Sequence, residues 1–149
     1  MSFLNTMKDA FNTARKGLAT EVQKFKSKDL MEAIVAGSAM IAYADGEISS
    51  AEKQKLMGFI RTSDELSVFD SEKVIEAFNR YAGKFEFDAM IGKGEVLKKV
   101  ALFKDKPEAQ LIVRVCMAIA NSDGHFDETE RKAVAEVCST LDLRVEDFI

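Results

Sequence analysis

The chain has 149 residues, 47% of them hydrophobic and 31% charged, with eight Gly, one Pro and no Trp. That composition suits one compact globular domain over 1–149 and excludes disordered and collagenous classes. Lys and Arg number 21 against 25 Asp and Glu, a formal net charge of -4, so no overall basic excess argues for nucleic acid as a partner. The charge is uneven: residues 1–28 hold Lys8, Arg15, Lys16, Lys24, Lys26 and Lys28 against Asp9 and Glu21, which leaves the remainder acidic. An acidic body of this kind suits cations or basic surfaces as partners, and also solubility.

In chain order, Phe3, Leu4, Met7, Phe11, Ala14, Leu18, Val22 and Phe25 trace one face of a first helix whose opposite face is basic. Such a helix packs against a core or lies on an anionic membrane, and Asp9, Glu21 and the mid-helix Gly17 favour packing. Lys8 and Asp9 interrupt any apolar start, so no signal segment and no oxidising compartment are expected. Residues 29–44 predict a second helix. Its uncharged run from Ala33 to Ala44 is too short for a membrane span of roughly 20 residues and reads as a buried helix.

A third helix over 49–62 opens with Ser49 and Glu52 in capping-box spacing. Asp64 and Ser71 start helical pieces that fill 64–82, and Gly83 is expected to break the pattern. Helical spacing resumes over 86–104, restarts near Pro107 for 108–122, and restarts again at Asp127 with Glu130 as its capping partner. A short helix is expected from Asp142 to the end. Cys116 and Cys138, flanked by apolar residues and not arranged as a CxxC pair, read as core residues. With apolar spacings of three and four throughout, the expected class is all-α, a compact bundle of about seven to eight helices.

An offset of 78 residues lays Ile41-Ala42-Tyr43-Ala44-Asp45-Gly46-Glu47-Ile48-Ser49-Ser50-Ala51-Glu52 on Ile119-Ala120-Asn121-Ser122-Asp123-Gly124-His125-Phe126-Asp127-Glu128-Thr129-Glu130. The apolar stripe Leu18, Val22, Phe25 falls on Val96, Val100, Phe103 under the same offset. Two pseudo-symmetric helical repeats, approximately 8–82 and 86–149, are therefore expected.

Both Asp-Gly segments match the second half of an EF-hand calcium loop. The first half is missing, because Ile41, Tyr43 and Ile119 stand where oxygen ligands belong. What remains is a half-site in each repeat: Asp45 or Asp123 before the glycine, a backbone carbonyl at Glu47 or His125, an oxygen at Ser49 or Asp127, and a carboxylate at Glu52 or Glu130. Oxygen clusters of this sort suit hard divalent cations, calcium or magnesium before zinc. The same residues also read as helix caps, with Gly46 and Gly124 closing one helix and the Ser49/Glu52 and Asp127/Glu130 boxes opening the next. Against caps alone stands a carboxylate placed twice at a helix C-terminus, where it opposes the macrodipole by roughly 0.3–1 kcal/mol.

No other chemistry is marked. His125 is the only histidine, Gly92-Lys93-Gly94 lacks the rest of a phosphate loop, and no GxGxxG, GxxxxGK[ST] or HExxH occurs. Two buried thiols do not form a redox pair, so no enzymatic activity is expected.

At the paired Asp-Gly motifs, and at Met1-Ser2-Phe3-Leu4 and Met31-Glu32-Ala33-Ile34-Val35-Ala36, the sequence resembles the TerB-like family of tellurite-resistance proteins over essentially its whole length. The resemblance implies an all-helical fold related to the N-terminal domain of the co-chaperone DjlA. It implies a bacterial cytoplasmic protein of the ter stress operon, at times peripheral to the inner membrane, that acts with the membrane protein TerC and other ter-operon proteins. It further implies divalent-metal binding through Asp45, Glu52, Asp123 and Glu130, with Asp127 added by the second loop. The expectation is a non-enzymatic, monomeric, calcium-binding interaction protein whose basic first helix assists docking to anionic lipid. The alternative is a metal-independent adaptor whose acidic face meets a basic partner.

Overall fold

The computed structural model describes residues 17, 20–44, 50, 53, 54, 57, 58, 66–121 and 127–148. Among them the elements are α1 (Lys28–Ala42), α2 (Ser71–Phe87), α3 (Ala89–Val100), a 3-10 helix at Ala101–Phe103, α4 (Glu108–Ala120), α5 (Glu128–Thr140) and a second 3-10 helix at Val145–Asp147. Residues 20–24 are also helical, and no described residue lies in a strand. The chain is all-α.

α1 forms the centre. Ser27 starts it by accepting the Leu30 N–H at 3.1 Å, and every residue from Leu30 to Ile41 is buried, with Glu32 and Ser38 the polar side chains among them. A helix apolar on all sides must be covered on all sides, and α2, α3, α4 and α5 all pack on it. At the α1–α4 crossing, Gly37 brings the two helices so close that a Cβ there would stand 2.8 Å from Cys116 Sγ. Ser38 Oγ donates to Ile34 O at 2.9 Å, and Cys116 Sγ donates weakly to the same carbonyl at 3.6 Å. Ser38 and Cys116, which contact at 4.0 Å, are equivalent positions under the 78-residue offset.

Helix direction follows from a few contacts. Lys99, near the end of α3, reaches Asp29 and Glu32 at the start of α1 at 3.3 and 3.5 Å. Phe85, packed under Gly92 near the start of α3, stacks on Tyr43 just past the end of α1. α3 therefore runs antiparallel to α1. The short turn at 104–107 then starts α4 at the end of the molecule where α1 starts, so α1 and α4 run in the same sense. The helical turn at 20–24 lies against α4, where Glu21 meets Arg114 at 3.4 Å.

Three sequence expectations are corrected. Gly83 does not break its helix: α2 continues to Phe87 because Phe85 is anchored between Tyr43 and Gly92. The break falls at Asp88, whose carboxylate caps α3 through the Met90 and Ile91 N–H groups, so that helix starts at Ala89 and not at 86. The expected terminal helix from Asp142 is a 3-10 turn starting at Val145. Asp142 itself adopts a left-handed φ of 60, and Leu143 N–H bonds back to Cys138 O at 2.8 Å, which closes α5 with a Schellman-type cap.

Candidate functional site

Of the six candidate metal-site residues, Asp45, Glu47, Glu52 and Asp123 lie outside the described residues, as does His125. Asp127 and Glu130 are described, at the start of α5. Asp127 Oδ1 accepts the Glu130 N–H at 2.8 Å and the Thr129 hydroxyl at 2.7 Å, while Glu130 Oε1 accepts the Asp127 N–H at 3.3 Å. The expected capping box is formed, and it occupies one oxygen of each carboxylate. Among the described residues no group of three or more His, Cys, Asp or Glu side chains is placed to hold a metal ion.

The chain enters both Asp-Gly segments from one end of the molecule. α1 leads through Tyr43 and Ala44 into the first, and α4 leads through Asn121 into the second. Asn121 closes α4 with its backbone N–H and its side-chain amide both donating to Met117 O at 2.9 Å.

Two polar clusters went unmarked by sequence reasoning. Beside the first segment, the buried Tyr43 donates its hydroxyl to Glu86 Oε2 at 2.9 Å, and Lys53 approaches the same carboxylate at 3.4 Å. Burial, reinforced by the Glu86 hydrogen bond, pushes the Tyr43 phenol well above its ordinary value. At the other end of α1, Glu32 lies between Arg80 on α2 and Lys99 on α3, with only 10% of its side chain exposed. Arg80 also lies over the Tyr81 ring at 5.4 Å. The available signal for the second cluster was Glu32 itself, the one charge between Leu30 and Tyr43 in an otherwise uncharged run.

The cysteines are core residues, as expected. Burial pushes the Cys116 thiol up to about 12, partly offset by the Ser38 hydroxyl, and burial pushes Cys138 up to about 11. Both are neutral thiols near pH 7, without the thiolate that nucleophilic chemistry needs. No described helix is long and apolar enough to cross a membrane.

Comparison with known proteins points to one family. The sequence model of the family described as "Tellurite resistance protein TerB" matches residues 31–149. The chain is also 47% identical over 116 residues to a protein of Alcaligenes sp. named "Tellurium resistance protein TerB", an alignment that covers 77% of this chain and 95% of the relative. No solved structure matches.

Proposed function

The chain belongs to the TerB family of tellurite-resistance proteins, and from that premise we propose that it is a non-enzymatic, divalent-metal-binding interaction protein. The acidic Asp-Gly segments hold the cation, with calcium the best match to oxygen ligands. Asp45, Glu52, Asp123, Asp127 and Glu130 supply carboxylates, and Glu47 a backbone carbonyl. A membrane protein of the TerC type, with other ter-operon proteins, is the partner, and the protein works in the bacterial cytoplasm beside the inner membrane. Residues 8–82 and 86–149 act as the two repeats that carry the half-sites.

One observation carries this reading. α1 and α4 run in the same sense and touch at the equivalent residues Ser38 and Cys116, and each leads into its acidic segment the same number of residues later. The described helices thus lead toward both half-sites, each too poor in oxygens to fill a calcium shell of six to eight ligands, at one end of the molecule. The metal-independent adaptor is the second reading, favoured by the formed capping box, which gives Asp127 and Glu130 a structural task without any ion.

The test is a titration of calcium, then magnesium, manganese and zinc, into chelator-stripped protein, followed through backbone amide NMR shifts. Metal binding gives saturable shifts over 45–52 and 123–130 that disappear in Asp45→Asn and Asp123→Asn. Amides there that stay silent at millimolar metal leave the adaptor.

A further inference from the structure

We propose that the end of the molecule at which α1 and α4 start is a docking surface for an anionic lipid bilayer, built from Lys24, Lys26, Lys28, Lys98, Lys104 and Lys106 around the exposed side chains of Phe25 and Leu102.

The surface is assembled by topology. The Lys99–Asp29 contact at 3.3 Å joins the end of α3 to the start of α1. The Glu21–Arg114 contact at 3.4 Å holds the 20–24 turn, which runs on through Lys26 into α1, against the middle of α4, and the 3-10 helix with the 104–107 turn joins α3 to α4. Four helix ends therefore meet, and the six lysines lie on them. All six are exposed, and none forms an ion pair with a described residue. Lys99, Arg114 and Arg80, by contrast, are committed to Asp29, Glu21 and Glu32. The acidic side chains among the six are Asp105, the half-buried Glu108, and Asp29 and Glu21, whose charges are met by Lys99 and Arg114. In a chain of net charge -4, six exposed lysines without an ion pair at one end are a local concentration of positive charge, with Lys106 over the Phe103 ring at 5.7 Å.

The apolar component separates a bilayer from other polyanions. Phe25 is 40% exposed and Leu102 53% exposed, both between lysines whose aliphatic stems can lie along an interface while the ammonium groups reach phosphate. Leu102 offers nothing to a nucleobase, and the surface has no arginine fork for bidentate phosphate recognition. Phe87, Met90 and Ile91 are also exposed. They stand at the α2–α3 corner with Glu86 and Asp88, at the other end of α3 from Leu102 and away from the six lysines.

The proposal rests on the membrane-associated part of the proposed function and is independent of its metal. It is tested by co-sedimentation of the full chain with phosphatidylglycerol/phosphatidylethanolamine vesicles and with phosphatidylcholine vesicles, in EDTA. Run without metal, this assay reads lipid alone, as the NMR titration without lipid reads metal alone. Binding is expected to the anionic vesicles only and to weaken with salt. At about fivefold per lysine, Lys98→Gln/Lys104→Gln/Lys106→Gln weakens it roughly 100-fold, and Leu102→Ser costs about a further fivefold. Phe87→Ser/Met90→Ser leaves it unchanged, and all variants keep the parent helical circular dichroism. Undiminished vesicle binding by the triple variant overturns the proposal and moves the contact elsewhere on the chain. Absence of binding to anionic vesicles, or tighter binding to single-stranded RNA that the same lysine changes abolish, overturns it as well.

Discussion

Replacing Gly37 with Ala tests the closest approach in the fold. Alanine gains about 1 kcal/mol of helix propensity over glycine in a helix interior. Here its methyl would meet Cys116 Sγ at 2.8 Å, and that sulfur is lodged between Ile34 O and the Ser38 hydroxyl. Overpacking a tight core costs about 1–3 kcal/mol, so the net effect expected for Gly37→Ala is a loss of about 1 kcal/mol, roughly 2–4 °C in Tm for a chain of this size. Cys116→Ala alone opens a small cavity and costs about 1–2 kcal/mol. Together the changes should not add, because the new methyl occupies the space the sulfur leaves. The double variant is expected near parent stability, a favourable coupling of about 2 kcal/mol. Urea unfolding followed by circular dichroism measures all three. Additivity of the single losses to within about 0.5 kcal/mol would refute the steric account of the α1–α4 crossing.

Asp127→Ala removes the acceptor that caps α5 and should cost about 1 kcal/mol, whereas Asp127→Asn keeps a capping oxygen and should stay within a few tenths of parent. Equal losses in urea unfolding would refute the cap, and loss of metal-dependent shifts in the folded Asn variant would assign the carboxylate a second task. At alkaline pH the sign is set by thiols whose folded values, about 12 and 11, lie above the ordinary thiol value of 9.0. The unfolded chain loses these protons first. Their contribution is full below pH 9 and disappears as pH rises toward 12, with Tyr43 acting in the same direction. The urea midpoint should fall over that window and fall less in Cys116→Ala/Cys138→Ala; a midpoint flat with pH would contradict the burial of both groups.

Much of the fold could be read from apolar spacing because helix periodicity and burial are the same fact seen twice. The run around Ile34, Val35, Ala39 and Met40 announced a covered helix, and Asp127 with Glu130 announced a helix start. What spacing could not supply was the outcome of competition between signals. Gly83 weakens a helix locally, but Phe85 two residues on is held by a ring and by another helix, and tertiary packing outweighs about 1 kcal/mol of propensity. Asp88 is a stronger cap than anything at 83–86, yet its role depends on where α2 is stopped. The Glu32 cluster joins residues far apart in the chain, so nothing local could pair them. At the candidate site, sequence supplied residue types and spacing, while the shared direction of α1 and α4 depended on Lys99 finding Asp29 and on Phe85 finding Tyr43.

The Tyr43 contacts have an optical consequence. The chain has no Trp and two Tyr, so its near-ultraviolet emission comes from Tyr43 and Tyr81. Tyr43 is stacked on Phe85 at 5.5 Å and hydrogen bonded to the Glu86 carboxylate, an arrangement that quenches a phenol, and it stands two residues before Asp45. Any event at the first Asp-Gly segment that draws Glu86 away from the hydroxyl will brighten that emission, which gives the protein an intrinsic, label-free signal just past the end of its central helix.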